Sequence, residues 1–158
     1  MRRFTLQDSP FILELLNDPM WISGIGDRNI KSISDAELYI VNGPVKMFEQ
    51  HGFGPLIVLL RAENNKPIGM CGLFKRDYLE FPDIGFAFLS AYCGRGFGKL
   101  ASEAVISWAR KDLQLSNIMG IVSPSNVRSQ RLLQSLGFIV QDQKEINGKE
   151  TIVLHKQI

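Results

Sequence analysis

Metal chemistry has little to work with in this sequence. The chain carries two histidines, His51 and His155, and two cysteines, Cys71 and Cys93, with no Cys-x-x-Cys pair. A zinc site would lack ligands at any familiar spacing. Two thiols fit a reducing compartment, and one disulfide between them stays open. Charge of one sign is also missing. Lysines and arginines number 18 against 16 acids, a formal +2, and the basic residues are scattered rather than gathered in a stripe. That removes the electrostatic footprint of a nucleic-acid binder. Long apolar runs are absent too: "PLIVLL" is far too short to span a membrane, and "MRRFTLQDSP" has no signal-peptide core. The expectation is a soluble cytoplasmic protein, one domain over 1–158, long enough to bury a core of its own.

What is present reads as helices and strands of an α/β (α+β) domain. "RRFTL" is a short candidate strand. "DSPFILELLND" is helical: Asp8 or Ser9 can cap it, Pro10 suits its first turn, and Phe11, Ile12, Leu15 and Leu16 share one face. "GIGDRNIKS" is a polar, glycine-bearing loop. Ser34 followed by Glu37 has the spacing of a capping box, and Gly43-Pro44 closes that segment. "KMFEQHGFGP" is a short helix ending at glycine. From residue 55 the texture becomes β-rich. "LIVLLRA" and "IGMCGLFKR" flank the turn "ENNKP" as an antiparallel hairpin, and "DIGFAFL" continues the meander. A helix over about 97–112 shows Leu100, Ala101, Ala104, Val105 and Trp108 at helical spacing. "NIMGIV" is a strand buried on both faces, "NVRSQRLLQSLGF" a helix capped by Asn126 and stopped by Gly137, and "TIVLHKQ" a last strand. The strand–helix–strand passage over 83–122 requires a crossover, so the sheet is mixed.

The densest signal is "YCGRGFGKLASEA", 92–104. Glycines packed this tightly before a helix let backbone N–H groups approach an anion closely. A nucleotide P-loop does not fit. Its first glycine would fall on Cys93, and Leu100 stands where a magnesium-binding hydroxyl belongs. Gly96-x-Gly98-x-x-Ala101 matches a dinucleotide fingerprint, but the next strand ends at Ser123 with no carboxylate for a ribose. A glycine loop wrapping a pyrophosphate at a helix N-terminus requires nothing that the sequence lacks.

These residues resemble the GNAT superfamily of acetyl-CoA-dependent N-acetyltransferases. The superfamily loop, Arg or Gln, then x-x-Gly-x-Gly or Ala, reads here Cys93-Gly94-Arg95-Gly96-Phe97-Gly98, with Cys93 departing from the usual first residue. Downstream, Asn126, Ser129, Leu133, Gly137 and Phe138 fill a second motif of the branch that resembles ribosomal-protein N-terminal acetyltransferases. "DIGFAFL" and "KPIGMCGL" are similar to strands of that branch. The resemblance implies a mixed, mostly antiparallel central sheet flanked by helices, with strands 4 and 5 splayed and acetyl-CoA lying in the gap as co-substrate. It implies that the backbone of Phe86, Ala87 and Phe88 pairs with the pantetheine arm. Cys93, Gly94, Arg95, Gly96, Phe97, Gly98 and Lys99 would hold the pyrophosphate, and Asn126 and Ser129 would face the pantetheine.

The implied reaction is direct acetyl transfer, in a ternary complex, to a primary amine: a protein N-terminus, a polyamine or a small amino compound. The amine must be neutral, the carbonyl polarised and the leaving thiolate protonated. A backbone N–H near Phe88 or Leu89 would polarise the carbonyl. Asp83 is the candidate base or else a strand-opening residue, with Glu80 a second choice; His51 is read as a surface helix end. The family's usual tyrosine acid falls on Leu133, which leaves Ser129 as a substitute. Cys93 beside a helix N-terminus could have a lowered pKa, against a plain role as a small buried residue. Trp21 is placed as a wall on the acceptor side. A CoA-binding module without catalysis, or use of another acyl-CoA, stays open, as does a homodimer.

Overall fold

A computed structural model describes residues 1–158. Its single sheet has the order β1-β2-β3-β4-β6-β5. The strands are β1 Pro55–Leu60, β2 Lys66–Phe74, β3 Asp83–Phe88, β4 Asn117–Val122, β5 Ile139–Ile146 and β6 Lys149–Gln157. Every neighbouring pair is antiparallel except β3 with β4. This is the mixed, mostly antiparallel sheet the sequence implies.

The parallel pair is brief. Asp83 stands opposite Met119, whose N–H donates to the Pro82 carbonyl at 2.9 Å, and no register continues beyond that pair. The splay therefore lies between β3 and β4; β4 and β5 are not adjacent, since β6 separates them. The count shifts by one because "RRFTL" is not a strand. Arg2 makes one isolated bridge to Ile57. The Thr5 N–H and hydroxyl then donate to the Asp8 carboxylate, which also holds the Arg2 guanidinium, and the chain turns away.

Helix α1, Ser9–Asn17, buries Phe11, Ile12, Leu15 and Leu16 as its period predicts, and α2 is Pro19–Gly24. Helix α3, Ile33–Ile40, starts two residues earlier than expected. Ser32 caps it, its hydroxyl accepting the Asp35 N–H while Asp35 accepts the Ser32 N–H, so the Ser34–Glu37 box does not form. Gly43-Pro44 does not end the segment either. A π-helical turn, Val41–Val45, accommodates the missing proline N–H, and the chain runs on into α4, Lys46–His51. Gly52, at φ 74°, stops it.

Helix α5, Phe97–Lys111, buries Ala101, Ser102, Val105 and Ala109. Leu100, 64% exposed, and Ala104 lie outside that stripe, which rotates the buried face from the expected one. Helix α6, Val127–Ser135, is capped by Asn126, and Gly137 follows it at φ 84°. Strand β5 escapes the hydrophobic pattern because nearly all of it is exposed. Its one legible sign is Asn147-Gly148, at φ 51° and 73°, the residue pair that favours a tight hairpin into β6.

Candidate active site

The loop before α5 leaves a row of backbone N–H groups open. Gly94 and Gly96 sit at φ 76° and 85°, where a Cβ is strained. Their left-handed turns point successive N–H groups outward. From Gly94 through Lys99, no backbone N–H has an acceptor within the chain. The dipole of a 15-residue helix adds to the same point. Gly98 serves a different need: a Cβ there would lie 3.2 Å from Leu132 and 3.6 Å from Phe88, so it lets α5 pack closely on α6 and β3. The Arg95 guanidinium rests over the rings of Tyr92 and Phe97, at 5.3 and 5.2 Å, which places a cation beside the loop. Lys99 lies 4.0 Å from Glu103 on the exposed face.

Arg128 joins this loop and was not legible in the sequence. Its guanidinium comes within 3.5 Å of where a Cβ on Gly94 would stand. Only the packing of α6 beside the loop brings these two residues together. Cys93 is half-buried, and its thiol donates to the Phe88 carbonyl at 3.6 Å, joining the loop's start to the end of β3. Cys71 is fully buried, and burial pushes its thiol up to about 12. Both cysteines are free.

In the splay, ladder phase decides which backbone groups are uncommitted. Leu89 donates its N–H to Ile68 at 3.0 Å, and Phe88 stands opposite Gly69. Antiparallel alternation then turns the N–H and C=O of Phe86 and Phe88 away from β2, toward the side where β4 has diverged. Of the two N–H groups expected to polarise a carbonyl, Phe88's faces the splay and Leu89's is already bonded. Across the gap, the Asn126 side chain accepts the Ser129 N–H at 3.1 Å, while its amide nitrogen comes within 3.3 Å of a Cβ position on Gly24. Ser129 is half-buried. Leu133 is 2% exposed, and its methyls lie 3.1 Å from the Cβ position of Gly120, so this site is core packing against β4.

Asp83 opens β3 at the closed end of the splay and is 1% exposed. Burial pushes its carboxyl up to about 6, against the opposing pull of the Arg76 guanidinium, whose Nε donates to Oδ1 at 2.8 Å. Arg76 also donates to the Tyr78 hydroxyl at 3.1 Å and lies over the Phe74 ring. A buried carboxylate poised near 6 suits a general base at neutral pH. Glu80 is exposed and lines a separate cavity of about 250 Å³ with Tyr78, Met119 and Asp142. His51 ends α4, exposed and stacked on Phe53 at 5.8 Å, beside the start of β1; this is the surface helix end expected. Trp21 is 5% exposed on α2, and its indole N–H has no partner. The N-terminus of α2 is anchored to the exit of β3, since Asp18 accepts both the N–H and the hydroxyl of Ser90. No cluster of three or more His, Cys, Asp or Glu side chains forms, and no helix is long and apolar enough to cross a membrane.

Known proteins share this fold. The family described as "Acetyltransferase (GNAT) domain" matches residues 1–139. A probable N-acetyltransferase of Bacillus subtilis, YjcK, is 31% identical over 106 residues, which cover 63% of this chain and 56% of that protein. An uncharacterized N-acetyltransferase of Bacillus licheniformis is 23% identical over 94% of this chain and 85% of its own length. Among solved structures, an acetyltransferase from Agrobacterium tumefaciens superposes with a TM-score of 0.82 at 20% identity, covering 99% of this chain and 89% of that one. The aminoglycoside acetyltransferase AAC(6')-Ib in complex with coenzyme A reaches 0.81 at 20% identity, over 99% and 92%. These likenesses carry the fold, and the family match covers the loop, the splay and Asp83 alike: the chain belongs to the GNAT acetyltransferases.

Proposed function

We propose that the chain transfers the acetyl group of acetyl-CoA to a primary amine by direct attack within a ternary complex. The observation that carries this is the row of uncommitted N–H groups from Gly94 through Lys99, continuous with a splay that ends on buried Asp83. The loop, aided by Arg95 and Arg128, holds the pyrophosphate. The backbone of Phe86 and Phe88 pairs with the pantetheine arm from one side, and Asn126 and Ser129 meet it from the other. Asp83 accepts the proton of the incoming ammonium, directly or through water. The freed nitrogen lone pair forms the N–C bond to the carbonyl carbon. The Phe88 N–H stabilises charge gathering on the carbonyl oxygen as the C–S bond breaks. Leu133 supplies no proton, so the second proton of the attacking nitrogen, which must leave for the amide to form, passes through solvent to the departing thiolate, which takes a hydrogen bond from the Ser129 hydroxyl.

The acceptor is a protein N-terminus, a polyamine or a small amino compound. The motif wording around Asn126 and Ser129 supports the branch of ribosomal-protein N-terminal acetyltransferases, whereas structural neighbours include an aminoglycoside acetyltransferase and a spermidine N-acetyltransferase chimera. Thiol release from acetyl-CoA across an amine panel tests the reaction. Acetylated product with stoichiometric free CoA is expected. Tight CoA binding with no product from any amine would make the protein a CoA-binding module, and product only from a longer thioester would change the acyl group. For the base, Asp83→Asn is expected to abolish the acidic limb of the pH–rate profile; an unaltered profile removes Asp83 from the mechanism.

A further inference from the structure

One buried side-chain polar atom in the chain has no hydrogen bond: the indole nitrogen of Trp21. A buried N–H without an acceptor costs free energy, and folded proteins nearly always supply a partner. Its place in the fold says where that partner arrives. Helix α2 lies across the mouth of the splay. At one end Asp18 accepts the Ser90 N–H at 2.9 Å, just beyond the last residue of β3. At the other end a Cβ on Gly24 would stand 3.3 Å from the Asn126 amide nitrogen, in the turn that follows β4. Six residues of helix span about 9 Å, so α2 is a short bar between the two diverging strands, and Trp21, its third residue, stands toward the β3 side. Helix α2 packs on β3, and Trp21 is the only buried residue it offers, since Pro19, Met20, Ile22 and Ser23 are exposed. Its indole is therefore what α2 sets against β3 and the gap beside it. The nitrogen is closed off from solvent, so an acceptor reaches it only as part of a molecule that enters the gap beneath α2. The Phe88 N–H, shortly before Ser90 in the chain, opens on the same gap.

We infer that Trp21 is a second hydrogen-bond donor to the thioester carbonyl, its indole N–H meeting from α2 the oxygen that the Phe88 N–H meets from β3. As the amine nitrogen bonds to the carbonyl carbon, the carbonyl π pair moves onto that oxygen. Two fixed donors hold the charge until the C–S bond breaks and the C=O re-forms. Trp21 keeps its proton throughout. The inference rests on the acetyl-transfer reading and adds a catalytic residue to it.

The test begins with the unsubstituted protein, its tryptophan indoles labelled with a heavy nitrogen isotope for magnetic resonance. The two indole N–H signals, from Trp21 and Trp108, are told apart with Trp108→Phe. Acetyl-CoA without an amine is expected to move the Trp21 proton signal downfield, as a hydrogen bond does. CoA lacks the acetyl carbonyl and is expected to leave that signal near its free position. An equal downfield shift with both ligands would assign the oxygen to the pantetheine arm, and no shift with either would leave the indole without a ligand; both results overturn the inference. Trp21→Phe keeps an aromatic ring and removes the donor. Its kcat is expected to fall by roughly a hundredfold, the loss of one donor to a developing oxyanion, with CoA affinity and the KM for acetyl-CoA little changed. A kcat within about threefold of the unsubstituted protein also overturns the inference. A shift specific to acetyl-CoA, with no product from any amine, leaves the donor in place and overturns acetyl transfer instead.

Discussion

Replacing Arg76 with methionine separates the two influences on Asp83. Burial raises this carboxyl and the Arg76 guanidinium lowers it, and together they leave it at about 6. Methionine keeps much of the stem over Phe74 and removes the charge 2.8 Å from Oδ1. An opposite charge this close lowers a carboxyl by about one to three units, so the variant's Asp83 should titrate at roughly 7 to 9. At pH 7 the ionised fraction then falls from about nine-tenths to between about a half and a hundredth, and kcat/KM falls with it by about two- to a hundredfold. Activity returns as pH rises through the new limb. The stability effect has the same origin. Asp83 holds its proton in the fold above its ordinary value of 3.8, so its contribution is fully present below pH 3.8 and is lost as pH rises through about 6. Raising it further makes the variant less stable at pH 8 by about 1.4 kcal/mol for each added unit up to a pKa of 8, about 2.8 kcal/mol at most, with little of that loss at pH 5. Paired pH–rate profiles with one acceptor, and urea unfolding at pH 5 and pH 8, read both effects. An acidic limb that stays in place, or moves down, would falsify the Arg76–Asp83 account. Arg76→Lys should restore part of the shift.

Three further outcomes follow from the same geometry. Gly96→Val places a β-branched residue at φ 85° in the anion loop, and CoA affinity by calorimetry should drop by about tenfold or more; unchanged affinity would place the pyrophosphate elsewhere. Leu133→Tyr restores the family's usual side chain, yet its added bulk meets Gly120 across a 3.1 Å contact. Thermal unfolding should show a loss of about 1–3 kcal/mol, and kcat should not rise. Under native conditions a thiol reagent should modify Cys93 well before Cys71, whose full burial holds it protonated; equal rates would contradict the buried Cys71–Ser102 contact.

Much of the frame was legible in the residues because local rules decide it. The period of Phe11, Ile12, Leu15 and Leu16, the Asn126 cap and the Gly137 stop each depend on near neighbours, and the structure keeps all of them. The errors arose where a distant or competing partner intervened. Asp8 drew Thr5 and Arg2 out of a strand, Ser32 outcompeted Ser34 for the cap of α3, and β5 found its partner in β6 without an apolar face to announce it.

The site divides in the same way. Alone, the sequence determined the glycine loop before α5, because positive φ at Gly94 and Gly96 and a helix start are properties of contiguous chain. It also named Asp83 as the acid opening the third strand. Tertiary structure alone decided that Phe88 rather than Leu89 presents its N–H to the splay, since ladder phase depends on pairing with β2. It alone brought Arg76 onto Asp83 and Arg128 beside Gly94. Electrostatic fields act through space, and the residues that set the charge of this site are far apart along the chain.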